Sequence, residues 1–255
     1  GLGDVYKRQA LSSNPFSGQL FDGEILHATG LGTNVPLSKL NGGRPFVLLD
    51  ACEETPTVDA VNFPNEEAER AAMQHLIDRG CRNIAIVGHR FAPRADLAHA
   101  QNAFALRLRG ACGALSDAGL PYDESMVFEA GDVANGIIAG HAIAERILAA
   151  RSGHGGTEFD GACCANDFAA FGVIRGLADR GLRVPQDVKV IGFDGVTSGS
   201  YTTPALSTIQ VDFTQLAKFS VDMLSERIDH GADEALPPRR AIIGYQLVDR
   251  ESTAV

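Results

Sequence analysis

Short apolar runs that alternate with punctuated helical stretches constrain this chain more than any other feature. The runs are GEILHA, PFVLLD, NIAIVG, MVFEAG, DGACCA, VKVIGF, STIQV and AIIGYQLV. Each is too short for an ordinary helix, is rich in β-branched or small apolar residues, and reads as a strand. The stretches between several of them read as helices. One covers about 66–79, opens on Asn65 as its cap, and carries Glu66, Glu67 and Glu69 in its first turn, where negative charge suits the helix dipole. Gly80 ends it. A second covers about 167–180, capped by Asp167 and stopped by Gly181 and then Pro185. Others cover about 105–118 and 136–149. A last helix follows Asp212 as its N-cap; Phe213, Leu216, Ala217, Ser220, Met223, Leu224 and Ile228 recur at helical spacing and predict one buried stripe. Strands and helices in alternation mean βαβ units around a parallel sheet covered on both faces, so the class is α/β. GHGGTEF and GADEALPPRR read as exposed loops.

Composition narrows the partners. The 255 residues suit one large domain or two small ones, and 45% hydrophobic with 21% charged residues is enough for a sizeable core. A net charge of −10 argues against these residues gripping a nucleic-acid backbone or an anionic membrane surface. No apolar run approaches the roughly 20 residues of a membrane span. Cys52, Cys81, Cys112, Cys163 and Cys164 are odd in number, form no CxxC pair and sit in apolar segments. They read as buried thiols of a reducing, cytoplasmic setting rather than a disulfide frame. The seven His residues lack ligand spacing, so no metal and no cofactor is expected. The first nine residues, GLGDVYKRQ, fit no element, resemble a translated sequencing-adapter remnant and are set aside as a non-native leader.

In open α/β sheets, ligands sit beyond the carboxyl ends of the strands. Asp50 closes PFVLLD, Asp132 follows MVFEAG, Asn166 and Asp167 follow DGACCA, and Asp194 closes VIGF. One such acid is ordinarily a turn residue or a cap, but several on one edge make a polar pocket. Catalytic motifs are missing. GVTSG lacks the spacing of a nucleophile elbow, GLGTNV lacks the last Gly of a dinucleotide loop, and the HGG of GHGGTEF has no serine nucleophile to serve. The residues therefore predict binding rather than catalysis. Carboxylates suit hydroxyl- or amine-bearing ligands, each hydrogen bond contributing about 1.5–3 kcal/mol.

GLRVPQDVKVIGFDG followed by SYTTPALSTIQVDF resembles the effector-binding domain of the LacI/GalR family of bacterial transcription repressors. So do HLIDRGCRNIAIVG, RLRGACGAL, ANDFAAFGVIRGLADRG and the closing LVDREST. The similarity runs from about residue 21 to the end. It implies a two-lobed fold like that of periplasmic sugar-binding proteins, with a partial N-lobe at 10–61 and 212–240 and a C-lobe at 62–211 and 241–255. By the family's motifs, Asp50, Arg107, Asn166, Asp194 and Phe213 would line the cleft and hold a small effector, a sugar or nucleoside. Arg109 competes with Arg107 for the register of the RxxG pattern. The resemblance also implies a homodimer, and operator DNA bound through a helix-turn-helix headpiece that is absent here.

Departures from the family pattern bear on the site. Val133 stands where many members have a stacking aromatic, and Phe63-Pro64 replaces the usual Asp-Asn at the first lobe crossing. The loop 89–104 is long, and its His89, Arg90 and Arg94 are weighed as extra contacts against the plainer reading of a solvated loop. The alternative from another class is a periplasmic solute-binding protein feeding a transporter, which would share the fold and cleft.

Overall fold

The computed structural model describes residues 22–28, 44–52, 56–129, 136–152, 159–230 and 236–254. The leader, Asp132, Val133 and most of the GHGGTEF loop lie outside the described residues. In chain order the strands are β1 (Glu24–His27), β2 (Phe46–Leu49), β3 (Ala60–Asn62), β4 (Ile84–Val87), β5 (Val127–Phe128), β6 (Gly161–Cys164), β7 (Lys189–Asp194), β8 (Ser207–Val211), β9 (Arg240–Ile242) and β10 (Tyr245–Val248). The helices are α1 (Asn65–Asp78), α2 (Arg94–Leu97), α3 (Ala103–Asp117), α4 (Gly136–Ser152), α5 (Asp167–Asp179) and α6 (Phe213–His230). They form two compact units, Gly1–Asn62 with Phe213–Ile242, and Phe63–Asp212 with Ile243–Val255.

The smaller unit holds a parallel four-stranded sheet in the order β1-β2-β3-β9, with α6 packed on it. Two arginines latch it together. Arg227 of α6 donates to the carboxylate of Asp59 at 2.9 and 2.7 Å, while Arg239 adds its backbone N–H at 2.8 Å and its guanidinium at 3.1 Å. Burial works to raise the Asp59 carboxyl, but the hydrogen bonds from Arg227 and Arg239 outweigh it and hold the group below its ordinary 3.8. A depressed carboxyl stabilises fully above the ordinary value and loses that contribution as pH falls through the folded-state value. Asp59→Asn is therefore expected to cost about 2 kcal/mol at neutral pH and much less near pH 3, by urea denaturation at both.

The stripe predicted on α6 is only partly buried. Ser220 is fully enclosed, Leu216, Met223 and Leu224 are half-buried, and Phe213, Ala217 and Ile228 are exposed. The 18-residue helix spans roughly 27 Å, whereas strands of four residues span roughly 13 Å, so the helix outruns the described sheet.

The larger unit holds a six-stranded sheet in the order β10-β8-β7-β6-β4-β5, parallel except for β10. Helices α4 and α5 pack on one face against Ala85, Val87, Ala162, Cys164 and Val190. Helices α1 and α3 pack together on the other. Strand alternation sends neighbours Cys163 and Cys164 to opposite faces, both fully buried, and burial pushes both thiols well above their ordinary value. All five cysteines are free thiols.

Two local predictions need correction. AIIGYQLV is not one strand: Arg240–Ile242 extends the smaller sheet beside β3, and Tyr245–Val248 pairs antiparallel with β8 in the larger one. Apolar periodicity does not change where a chain leaves one sheet for another. The strand β3 was missed because its three residues are all buried and show no alternation. Among the described residues, no helix is long and apolar enough to cross a membrane.

Candidate functional site

The polar centre of the larger unit is Arg107, one turn into α3. Asn102 caps that helix by accepting from the Ala105 N–H at 2.9 Å, which orients the first turn over the sheet edge. The Arg107 Nε donates to Asn65 Oδ1 at 2.8 Å and Nη1 donates to the Ala165 carbonyl at 2.6 Å. Its guanidinium carbon lies 3.6 Å from the centre of the Phe193 ring. Nη1 is also 3.9 Å from Asp194 Oδ1. The arginine is buried, whereas the Asp194 side chain keeps 28% of its exposure, so the acid is the open end of the pair. A cation sandwiched between an aromatic face and a carboxylate is a rigid, charge-compensated platform.

Asp194 has φ 109°, and Asp50, at the end of β2 in the smaller unit, has φ 59°. These two are the non-glycine residues with positive φ among the described ones. A non-glycine residue held there costs on the order of 1–3 kcal/mol, and such strain collects at binding sites. Asp50 is buried, and its N–H donates to the Val61 carbonyl at 2.9 Å.

The adjacent Asn166 and Asp167 exchange the roles expected of them. Asn166 caps α5, accepting from the Ala169 N–H at 2.8 Å. Asp167 is instead the first helical residue and fully buried. It accepts from the Thr208 hydroxyl at 2.6 Å and from the Val196 N–H at 2.7 Å, which clamps the backbone just after Asp194. Asn65 shows the same exchange at α1: it makes no side-chain cap there and turns to Arg107.

Burial pushes the Asp167 carboxyl up to about 6, even though hydrogen bonds from Thr208, Val196 and Gly195 favour its charge. A carboxyl raised in the folded state binds its proton more tightly there than in the unfolded chain. The contribution of this group to stability is most favourable below 3.8, falls as pH rises towards 6 and is flat beyond. The span corresponds to about 3 kcal/mol. Asp167→Asn is expected to remove that slope, read by denaturation at pH 4 and pH 7.

Of the predicted residues, the larger unit gathers Arg107 and Asp194, with Asn166 directly after the carbonyl that Arg107 binds. Asp50 and Phe213 belong to the smaller unit, where Phe213 opens α6 half-exposed. Arg109 is bound elsewhere, to Glu66 and towards the carbonyls of Leu97 and Ala98, so of the two arginines Arg107 is the one beside Asp194. The long loop is anchored at a few points and otherwise exposed. His89 is buried, Phe91 stacks on Tyr122 at 5.6 Å, Arg94 lies over the same ring at 5.7 Å, and the Tyr122 hydroxyl donates to Ala92. Of the three basic candidates, His89 is buried while Arg90 and Arg94 are exposed. Sequence reading missed Asn65 and Asp167 as site supports. The one signal was the AND run itself, where two polar residues compete for one cap. Among the described residues, no group of three or more His, Cys, Asp or Glu is placed to hold a metal ion.

Residues 73–253 match the family model described as a periplasmic binding protein-like domain. The HTH-type transcriptional repressor PurR of Escherichia coli O1:K1 / APEC is 31% identical over 211 residues, covering 82% of this chain and 56% of that protein. A structure described as a LacI-family transcriptional regulator from Sanguibacter keddieii DSM 10542 is 33% identical, with a TM-score of 0.75 over 92% of this chain and 80% of that one. The transcriptional regulator CelR in its cellobiose complex is 26% identical, with a TM-score of 0.76 over 97% of this chain and 70% of that one. The chain spans little more than half the length of the curated relatives it matches, 58% of the PurR of Aliivibrio fischeri MJ11.

Proposed function

This chain belongs to the LacI family of transcriptional regulators, through its periplasmic binding protein-like domain, and we propose that it is the effector-binding part of such a regulator. The effector is a small, neutral, hydroxyl-rich molecule, a sugar or a nucleoside. The observation that carries this reading is Asp194, held at φ 109° on a strand end beside a buried, charge-compensating arginine. The carboxylate accepts from ligand hydroxyls, while Arg107 and the Asn166 amide donate. A net charge on the ligand is not needed, because Arg107 already balances Asp194. Asp50 and Phe213 are the further contacts that the family pattern supplies, and a related regulator, CelR, was solved with the disaccharide cellobiose.

In the complete protein the effector controls operator binding by a helix-turn-helix headpiece outside this chain, in a homodimer that sets two headpieces on a pseudo-palindrome. It does so only through unequal affinity for two arrangements of the protein. No catalytic step is part of this reading. The test is calorimetric titration of the 255-residue chain with cellobiose and a panel of monosaccharides and nucleosides. Saturable binding that Asp194→Gly weakens about ten- to a hundredfold is the expected result. Binding of unchanged affinity in the variant sinks the site assignment, and a full-length protein whose operator affinity ignores the bound ligand sinks the regulatory role.

A further inference from the structure

The smaller unit carries a side-chain support that the effector reading does not use. Asn62 closes β3, is 5% exposed and turns its amide across to the end of β2. Its Nδ2 donates to the Ala51 carbonyl at 2.6 Å. A carbonyl only accepts, so the nitrogen of the amide and not its oxygen faces it.

The direction of that carbonyl is set by the residue before it. On β2 the Leu48 N–H donates to the Asp59 carbonyl and the Asp50 N–H donates to the Val61 carbonyl, both at 2.9 Å. Residues 48 and 50 therefore face β3. Backbone groups of successive strand residues point to opposite neighbours, so in a continued strand the Ala51 carbonyl would face β1. Asp50 instead has φ 59°, and this left-handed residue swings the next carbonyl back towards β3, where Asn62 meets it. The Asn62 bond and the left-handed turn are made together.

A non-glycine residue stays at such a φ only where its surroundings over-determine it. Cys52 is a second, weaker strut, its thiol 3.5 Å from the Asp50 carbonyl and 3.7 Å from Asp50 Oδ1. With the Asp50 N–H fixed on Val61, φ sets where the Cβ and the carboxylate leave the strand. We propose that Asn62 is a positioning residue: it holds the left-handed turn at Asp50 and, through that turn, the direction of the carboxylate. The consequence for effector affinity rests on the function proposed above; the positioning itself does not.

A residue that merely packs makes a different prediction. Truncating it would weaken the fold equally whatever stood at position 50. If Asn62 holds the turn, the loss shrinks when position 50 is glycine, which takes φ 59° without strain. Asn62→Ala is expected to lower the folding equilibrium constant of the 255-residue chain about tenfold in the wild-type background and about threefold or less in the Asp50→Gly background, by urea denaturation. NMR of Asn62→Ala in the wild-type background is expected to show Asp50 leaving the left-handed region, read from its HN–Hα coupling and carbon-13 shifts. Equal losses in the two backgrounds, or an Asp50 that keeps its left-handed signature, overturn the proposal. Should Asn62→Ala not fold, Asn62→Val keeps a strand-forming side chain without the donor and is read against the same two outcomes. In the calorimetric panel, cellobiose or whichever monosaccharide or nucleoside binds the wild type is expected to bind Asn62→Ala about tenfold more weakly. Undiminished binding with Asp50 displaced would remove Asp50 from the effector contacts and leave the positioning standing, so the two failures are separate results.

Discussion

Asp194→Gly is expected to separate binding from stability. Glycine adopts φ 109° without the steric conflict that a Cβ brings, which offsets the loss of the partner of buried Arg107, so the variant should stay within about 1 kcal/mol of wild type in stability. The same change removes the exposed half of the Arg107–Asp194 pair and should weaken effector affinity by about ten- to a hundredfold, as expected for one or two hydrogen bonds to a charged acceptor. Urea denaturation gives the first quantity and calorimetry the second. A variant that binds normally, or that loses stability in proportion to affinity, would show that the acid serves the turn and not the ligand. Asp194→Asn is the informative companion. It keeps the strain and the size, removes the charge, and should bind weakly without gaining stability.

Gly110→Ala is expected to have the largest effect on the fold. A Cβ at this position would overlap the Glu66 carbonyl oxygen and come within 3.0 Å of the Arg70 backbone nitrogen. Both obstacles are main chain of α1 and cannot swing aside, so α1 and α3 must part. Overpacking of this kind costs about 3 kcal/mol or more. It should also stretch the Asn65–Arg107 bond, which bridges the same two helices, and so weaken effector binding. Gly113 is the built-in control, one turn further along α3. Its added Cβ would meet only the tip of the exposed Arg70 side chain. Gly113→Ala should therefore be near neutral once Arg70 moves, with a gain of up to about 1 kcal/mol in helix propensity offsetting any loss of the Arg70–Asp117 pair. Equal destabilisation by the two alanines would contradict a close-approach role for Gly110. The glycine of the RLRG run is, on this account, there for packing, and the arginine one turn earlier is placed by it.

The class of the fold was legible because strands and helices announce themselves locally. IAIV, GACC and KVIGFD are apolar runs between glycine- or acid-marked ends, and α1 and α5 end at Gly80 and Gly181, both at positive φ as such caps require. The strand-end acids were legible for the same reason, since a carboxylate closing an apolar run is visible in one window of sequence. The supports of the site were not. Asn65 and Arg107 are 42 residues apart, and nothing local distinguishes an asparagine that caps its helix from one that turns to a distant guanidinium. Thr208 lies 41 residues from Asp167, which is why the acid passed for a cap while its neighbour Asn166 took that place.

What the sequence determined by itself was the α/β alternation, the acids that close its strands at their carboxyl ends, and the absence of any motif for covalent chemistry. Those properties depend on each residue and its near neighbours. The tertiary structure alone decided that AIIGYQLV serves two sheets, that Arg107 and not Arg109 faces Asp194, and that Glu69 and His89 are buried side by side. Each of these depends on which side chains the packed helices and strands bring within a few ångströms. Burial then raises the consequence of every polar atom left unpaired, and no window of sequence shows where burial falls.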